Sequence, residues 1–158
     1  MDNRFMSVFR HIIFGLLIIG LAAFNKGSID EYAIILLFLF VINNNLRFFT
    51  FRNKKAFVFI SIILEIFLSS IIYEYYGGIV LFYFILSILD GVLFLGDRIS
   101  FLVGLIIYLT AIYMIKGTSP EMLTLNLGVI TILLLISYYI KREYHKKLAA
   151  EKLYYKLR

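Results

Sequence analysis

Cysteine is absent from this chain of 158 residues, proline occurs once and histidine twice. Without cysteine there is neither a disulfide framework nor a thiolate metal site, and the redox compartment leaves no mark. The one proline, Pro120, falls between apolar runs, so no run is kinked by proline. His11 and His145 have no second ligand at metal spacing and read as solvated side chains. No H-E-x-x-H, glycine-rich phosphate loop or G-x-S-x-G is present. No catalytic, cofactor-binding or metal-ligating residue is assigned, and no nucleic-acid partner is expected. Polar surface is scarce as well. At 62% hydrophobic and mean hydropathy +0.92, the chain has too little of it to cover a soluble globule.

What is present is a series of six apolar runs: Ile12–Phe24, Tyr32–Leu46, Ala56–Tyr73, Gly78–Leu95, Ile99–Ile115 and Met122–Ile140. Each lies at the short end of what a hydrocarbon core of about 30 Å requires. The first is adequate only if Phe5–Phe9 joins it, with Arg10 and His11 snorkelling to the head groups. A secretory signal peptide is the other reading of residues 1–24, but Leu21-Ala22-Ala23-Phe24 is a poor cleavage site, and the segment is kept as a helix. The expected fold is all-α: a polytopic six-transmembrane bundle over residues 1–140, with a cytoplasmic helical linker over 141–158.

Basic residues set the orientation. With the N-terminus in the cytoplasm and six spans, 14 of the 16 Lys and Arg face inward: Arg4 and Arg10, Arg47 to Lys55, Arg98 and the tail. Only Lys26 and Lys116 remain outside, so both termini are expected to be cytoplasmic. The outer connections carry Asp30, Glu31, Glu74 and Glu121 and are too short for a folded sensor domain. Tyr73, Tyr75 and Tyr76 suit an outer aromatic belt. Gly77-Gly78 signals a turn, and Ser119-Pro120-Glu121 suits a helix start with Ser119 as cap.

The few polar residues inside the runs are the candidate intramembrane polar switch: Glu65, Asp90 and Asn126. Glu65 lies about 14 Å and Asp90 about 8 Å from the inner ends of their helices at 1.5 Å per residue, within about one turn in depth. A mid-helix carboxylate costs about 2.5–3.5 kcal/mol on insertion scales, so each should face the bundle interior or be protonated. Glu65 is either a switch, ion site or ligand contact, or a neutral carboxyl bonded to Ser61, Ser69, Ser87, Thr110 or Asn126. For Asp90 the expectation is solvation or pairing with Arg98. Asn43-Asn44-Asn45 marks the inner end of the second span, where amides meet head groups. Asp90-Gly91 matches part of the lipid head-group transferase signature, but the other acidic residues of that motif are missing.

After Ile140 the chain has neither Gly nor Pro and is rich in good helix formers. Ala150, Leu153 and Leu157 give one apolar seam and Tyr144, Leu148, Glu151 and Tyr155 a competing one, the start of a coiled coil at most. Lys141, Arg142, Lys146 and Lys147 form a juxtamembrane basic cluster suited to anionic lipid. The pattern stops without a helix stop signal at Tyr154-Tyr155-Lys156-Leu157-Arg158, as if cut before a further domain. Heavy use of Ile, Lys, Asn, Phe and Tyr points to a bacterium with an AT-rich genome.

Asn43-Asn44-Asn45-Leu46-Arg47-Phe48-Phe49, Ile62-Ile63-Leu64-Glu65, Gly77-Gly78 with Tyr83, and Leu89-Asp90 resemble the membrane modules of bacterial sensor histidine kinases of the dimerisation-and-phosphoacceptor type. Tyr139-Ile140-Lys141-Arg142-Glu143-Tyr144 followed by Ala149–Arg158 is similar to their linkers, the nearest group being that of the desaturase-regulating thermosensor kinase. The phosphoacceptor histidine and ATP-binding boxes of such kinases are not among these residues. The resemblance implies a homodimer in the bacterial cytoplasmic membrane that senses membrane state or a small ligand. It implies a last helix that signals to a downstream histidine kinase domain and response regulator. Two alternatives stand beside it: a six-helix small-solute binding or transport subunit, and a non-catalytic accessory membrane protein anchored by its basic tail.

Overall fold

The computed structural model describes residues 3–157. The described chain is a bundle of six helices: α1 (Asn3–Phe24), α2 (Glu31–Phe49), α3 (Lys55–Tyr76), α4 (Val80–Phe94), α5 (Asp97–Met114) and α6 (Pro120–Leu157). Arg158, the last cation of the expected linker, lies outside the described residues. α1 begins well before Ile12 and takes in Phe5–Phe9, as the length argument requires.

Local chemistry sets the boundaries. Asp30 caps α2, its carboxylate accepting the Ala33 N–H at 2.9 Å. The Tyr76 hydroxyl at the end of α3 donates to the same carboxylate at 2.6 Å. These bonds, that from Tyr76 foremost, hold the Asp30 carboxyl below the usual range. α3 stops at Gly77 (φ +71°), and Gly78 follows at φ +111°. A Cβ on Gly78 would come within 3.0 Å of the Tyr83 hydroxyl, which donates to the Gly77 carbonyl at 2.7 Å. The turn therefore needs glycine on both conformational and steric grounds. Pro120 opens α6 at the first helical position, and Ser119 accepts the Met122 N–H at 3.3 Å.

Contacts between helix ends show the up-and-down order. Asn3, Arg52, Asp97 and Lys141 meet at one end, here the basal end, through Arg52–Asn3 and Lys141–Asp97 bonds. Asn25, Asp30 and Tyr76 gather at the opposite end, where Asn25 donates to the Tyr76 carbonyl at 2.9 Å.

Five of the helices are long and apolar enough to cross a membrane; α4 is not. Its 15 residues span about 22 Å, short of a hydrocarbon core of about 30 Å. The fourth run was expected over Gly78–Leu95, but Gly78 is spent on the turn and Leu95 is already extended backbone. α4 is instead the central post. It packs on α1, α3, α5 and α6, and residues from Val80 to Val92 on all its faces are buried.

The remaining helices turn large apolar side chains outward, among them Ile19, Phe38, Phe67, Phe101 and Leu135. The interior holds fully buried Arg10, Asn44, Arg47, Glu65 and Asp90 beside an aliphatic and aromatic core around Leu17, Phe40, Ile62, Phe84 and Ile107. Apolar outside with ions inside is the reverse of a water-soluble bundle and is compatible with a membrane-embedded protein.

Candidate functional site

The buried polar side chains form a closed ring across four helices. Arg10 of α1 pairs through Nη2 with Asp90 Oδ1 of α4. The other Asp90 oxygen accepts Arg47 Nε of α2 at 2.7 Å. Arg47 Nη1 pairs with Glu65 Oε2 of α3 at 2.6 Å. Asn44 of α2 donates to Glu65 Oε2 at 3.0 Å and accepts Arg10 Nη1, closing the circuit. Ser87 of α4 donates to Glu65 Oε1 at 2.6 Å. All six side chains are fully buried.

Helical periodicity places them there. The buried stripe of α1 runs Met6, Arg10, Ile13, Phe14, Leu17 and Leu21, with Arg10 one position among apolar neighbours. That of α2 runs Ala33, Leu37, Phe40, Asn44, Arg47 and Phe48. In α3 the stripe is Val58, Ile62, Glu65, Ser69 and Ile72. Each follows the three-and-four spacing of an inward face. The polar members are contiguous with the core, not displaced from it.

The ring holds two guanidiniums and two carboxylates, so it is neutral, and a neutral cluster can be buried where a single charge cannot. Arg10 adds a cation–π contact, its Cζ lying 4.1 Å from the centre of the Phe48 ring. Satisfaction is not complete: Arg10 Nε, Arg47 Nη2 and Asn45 Oδ1 are buried without a hydrogen-bond partner. Removing any one charge leaves its partners stranded in the interior. Such a circuit can bind four helices into one body, and it can change state only by moving charge.

Several expectations are corrected by this geometry. Arg10 does not snorkel: its side chain is inside the bundle with Asp90 and Asn44. Asp90 is paired with Arg10 and Arg47, whereas Arg98 is exposed one turn beyond the end of α4. Asn44 lies in the ring, while Asn43 donates to the Ser61 carbonyl at 2.9 Å. Of the hydroxyls and amides proposed for Glu65, only Ser87 reaches its carboxylate. Ser61 takes Asn43 and Arg47, and Ser69 donates to the Glu65 carbonyl. Thr110 and Asn126 bond within their own helices, to the Ile106 and Met122 carbonyls. Asn126 therefore stands apart from Glu65 and Asp90, which the fold does bring together.

The sequence reading missed Arg10, Asn44 and Arg47 as members of the site because each was assigned to the interface. Two signals were available. Arg10 and Arg47 sit in register with apolar stripes, and two buried acids call for two buried cations.

The juxtamembrane cluster divides. Lys141 bonds Asp97 at 2.9 Å and the Leu95 carbonyl at 3.2 Å, fastening α6 to the α4–α5 turn. Lys146 pairs with Glu143 at 2.8 Å along the helix. Arg142 and Lys147 have no ion-pair partner among the described residues. His11 Nδ1 lies 2.7 Å from the Ser7 carbonyl, and no group of three or more potential ligands that could hold a metal occurs among the described residues. No family model matches the chain, and comparison with curated proteins and with solved structures returns no significant match.

Proposed function

We propose that the chain is the six-helix membrane module of a bacterial sensor histidine kinase, with both termini cytoplasmic, passing a membrane or small-ligand signal through α6 to a downstream kinase domain. The observation that carries this reading is the form of α6. It runs unbroken over 38 residues, about 57 Å at 1.5 Å per residue, and buries only Ile130 and Ser137. Lys141 fastens it to the α4–α5 turn at the base of the bundle. From there to Leu157 it continues as helix for about 25 Å with no glycine or proline to interrupt it. A rigid rod carries a small rotation or shift outward, where a flexible joint would dissipate it. The basal end gathers Arg52, Lys55, Lys141 and Arg142, which supports placing it on the cytoplasmic face. A homodimer would bring two such rods side by side.

The test is helical phase. Alanines are inserted one at a time after Arg142 in the chain joined to its downstream sequence, each turning the rod by about 100°. Kinase output should rise and fall with phase and return toward the wild-type level near a full turn. Output independent of phase, or a reading frame with no kinase following Arg158, would reject this reading in favour of the transport or anchor alternatives.

A further inference from the structure

We infer that the basal cleft beneath α6 is a binding site for an anionic glycerophospholipid, its phosphate held by Lys55, Arg142 and His145 and one acyl chain laid between α5 and α6. The inference rests on the membrane placement proposed above. The cleft has a volume of about 610 Å³, ample for a head group. Its basic side chains come from separate elements: Lys55 is the first residue of α3, and Arg142 and His145 lie three apart on α6. Asp97 also lines it but is neutralised by Lys141. The surplus is therefore Lys55 and Arg142, neither of which has an ion-pair partner among the described residues. A second cleft of about 460 Å³, which adds Arg52, shares Leu93, Phe94, Lys141 and His145 with the first.

A soluble anion would need only the cations. Commitment to a lipid comes from what adjoins them. Tyr138 lines both the basic cleft and a groove of about 120 Å³ between α5 and α6. The groove is almost wholly apolar, walled by Phe101, Leu105 and Leu134 and floored by Gly104, whose missing side chain leaves Leu134 as the nearest neighbour. Tyr138 thus stands at the junction of the basic cleft and the apolar groove, its hydroxyl 2.9 Å from Ser100 Oγ. That sequence of surfaces matches a lipid read from phosphate to chain. A lipid seated there touches α6 on one side and α3, α4 and α5 on the other, so its occupancy bears on the helix proposed as the output.

The test uses the whole chain in nanodiscs of equal parts phosphatidylglycerol and phosphatidylcholine, with retained lipid counted by native mass spectrometry. The wild type should retain phosphatidylglycerol selectively. Lys55→Gln with Arg142→Gln should weaken retention about twenty-five-fold, about fivefold per cation, and Lys55→Arg with Arg142→Lys should restore it. Gly104→Leu should weaken retention with every cation in place. Lys146→Gln with Lys147→Gln removes the same formal charge outside the cleft and should weaken retention far less. Equal loss in that control would overturn the site in favour of general attraction. Displacement of the lipid by glycerol phosphate at equal concentration, or an inert Gly104→Leu, would overturn the lipid in favour of a soluble anion. Helicity by circular dichroism verifies that each variant is folded, and because the readout is bound lipid, it fails or succeeds independently of any kinase output.

Discussion

The two halves of the bundle are held together by different forces. α1 to α4 are cross-linked by a ring of buried ion pairs and amide bonds that touches all four helices. α5 and α6 pack on α4 and on each other through apolar faces, with hydroxyl bonds of Tyr108 to Thr131 and of Ser100 to Tyr138 and the basal Lys141–Asp97 pair. Buried charge pairs cannot slide, because any displacement strands a charge in the interior. Apolar faces with a few hydroxyls can shift by an ångström or two at small cost. The first half is locked by directional charge pairs, whereas α6 meets it across an apolar face on α4.

Breaking the ring should produce the largest effect. Arg47→Met leaves Glu65 and Asp90 with Arg10 as their single cation beside the Asn44 and Ser87 donors, and should cost about 3–5 kcal/mol of stability. Adding Glu65→Gln returns the cluster to neutrality, with Arg10 and Asp90 still paired, and should recover a large part of that loss. Thermal unfolding in mild detergent, followed by helical circular dichroism, measures both. An Arg47→Met chain as stable as the wild type would mean the ring does not hold the first half together.

A smaller effect separates charge from hydrogen bonding. Glu65→Gln keeps an acceptor for Ser87, whereas Glu65→Leu leaves the Ser87 and Asn44 donors buried without partners. The leucine variant should be the less stable by about 1–3 kcal/mol. The counterpart in the second half is Asn126→Leu. Asn126 donates only to its own helix, so this change should be close to neutral. Equal sensitivity at Glu65 and Asn126 would erase the contrast between the halves.

The helices themselves were legible in the sequence, since six apolar runs separated by turn residues leave little else to build. Gly77-Gly78 and Ser119-Pro120 mark their boundaries because backbone geometry there admits few residue types. The fourth run is shorter as a helix than its apolar stretch suggests. Hydropathy reports which residues avoid water, and α4 is apolar because protein surrounds it. The ring was half legible. Glu65 and Asp90 stood out because a carboxylate within an apolar run is costly, whereas Arg10 and Arg47 lay close enough to helix ends to be read as interfacial. Pairing across the bundle depends on which helices are neighbours, and no local pattern carries that. The separate position of Asn126 was equally hidden, because the face that α6 turns toward α4 and α5 is set by packing.

The smallest effect on stability is expected at Lys141, yet it bears most directly on how α6 is held. Its side chain joins α6 to the α4–α5 turn through Asp97 and the Leu95 carbonyl, and Asp97 is largely exposed, so solvent screens the pair. Lys141→Met should leave the unfolding temperature nearly unchanged while loosening the base of the rod. Because the chain has no cysteine, spin labels can be placed in pairs without background. One pair at Asn53 and Glu151 reports α6 against the first half, and another at Ser28 and Glu74 reports within the first half. Lys141→Met should broaden the first distance distribution and leave the second untouched. Arg47→Met, by contrast, acts on α1 to α4 and should broaden the second. Broadening of both pairs by Lys141→Met would show one continuous body, and broadening of neither would show α6 fixed by its apolar contacts alone. Either result would remove the mechanical basis for signalling through α6.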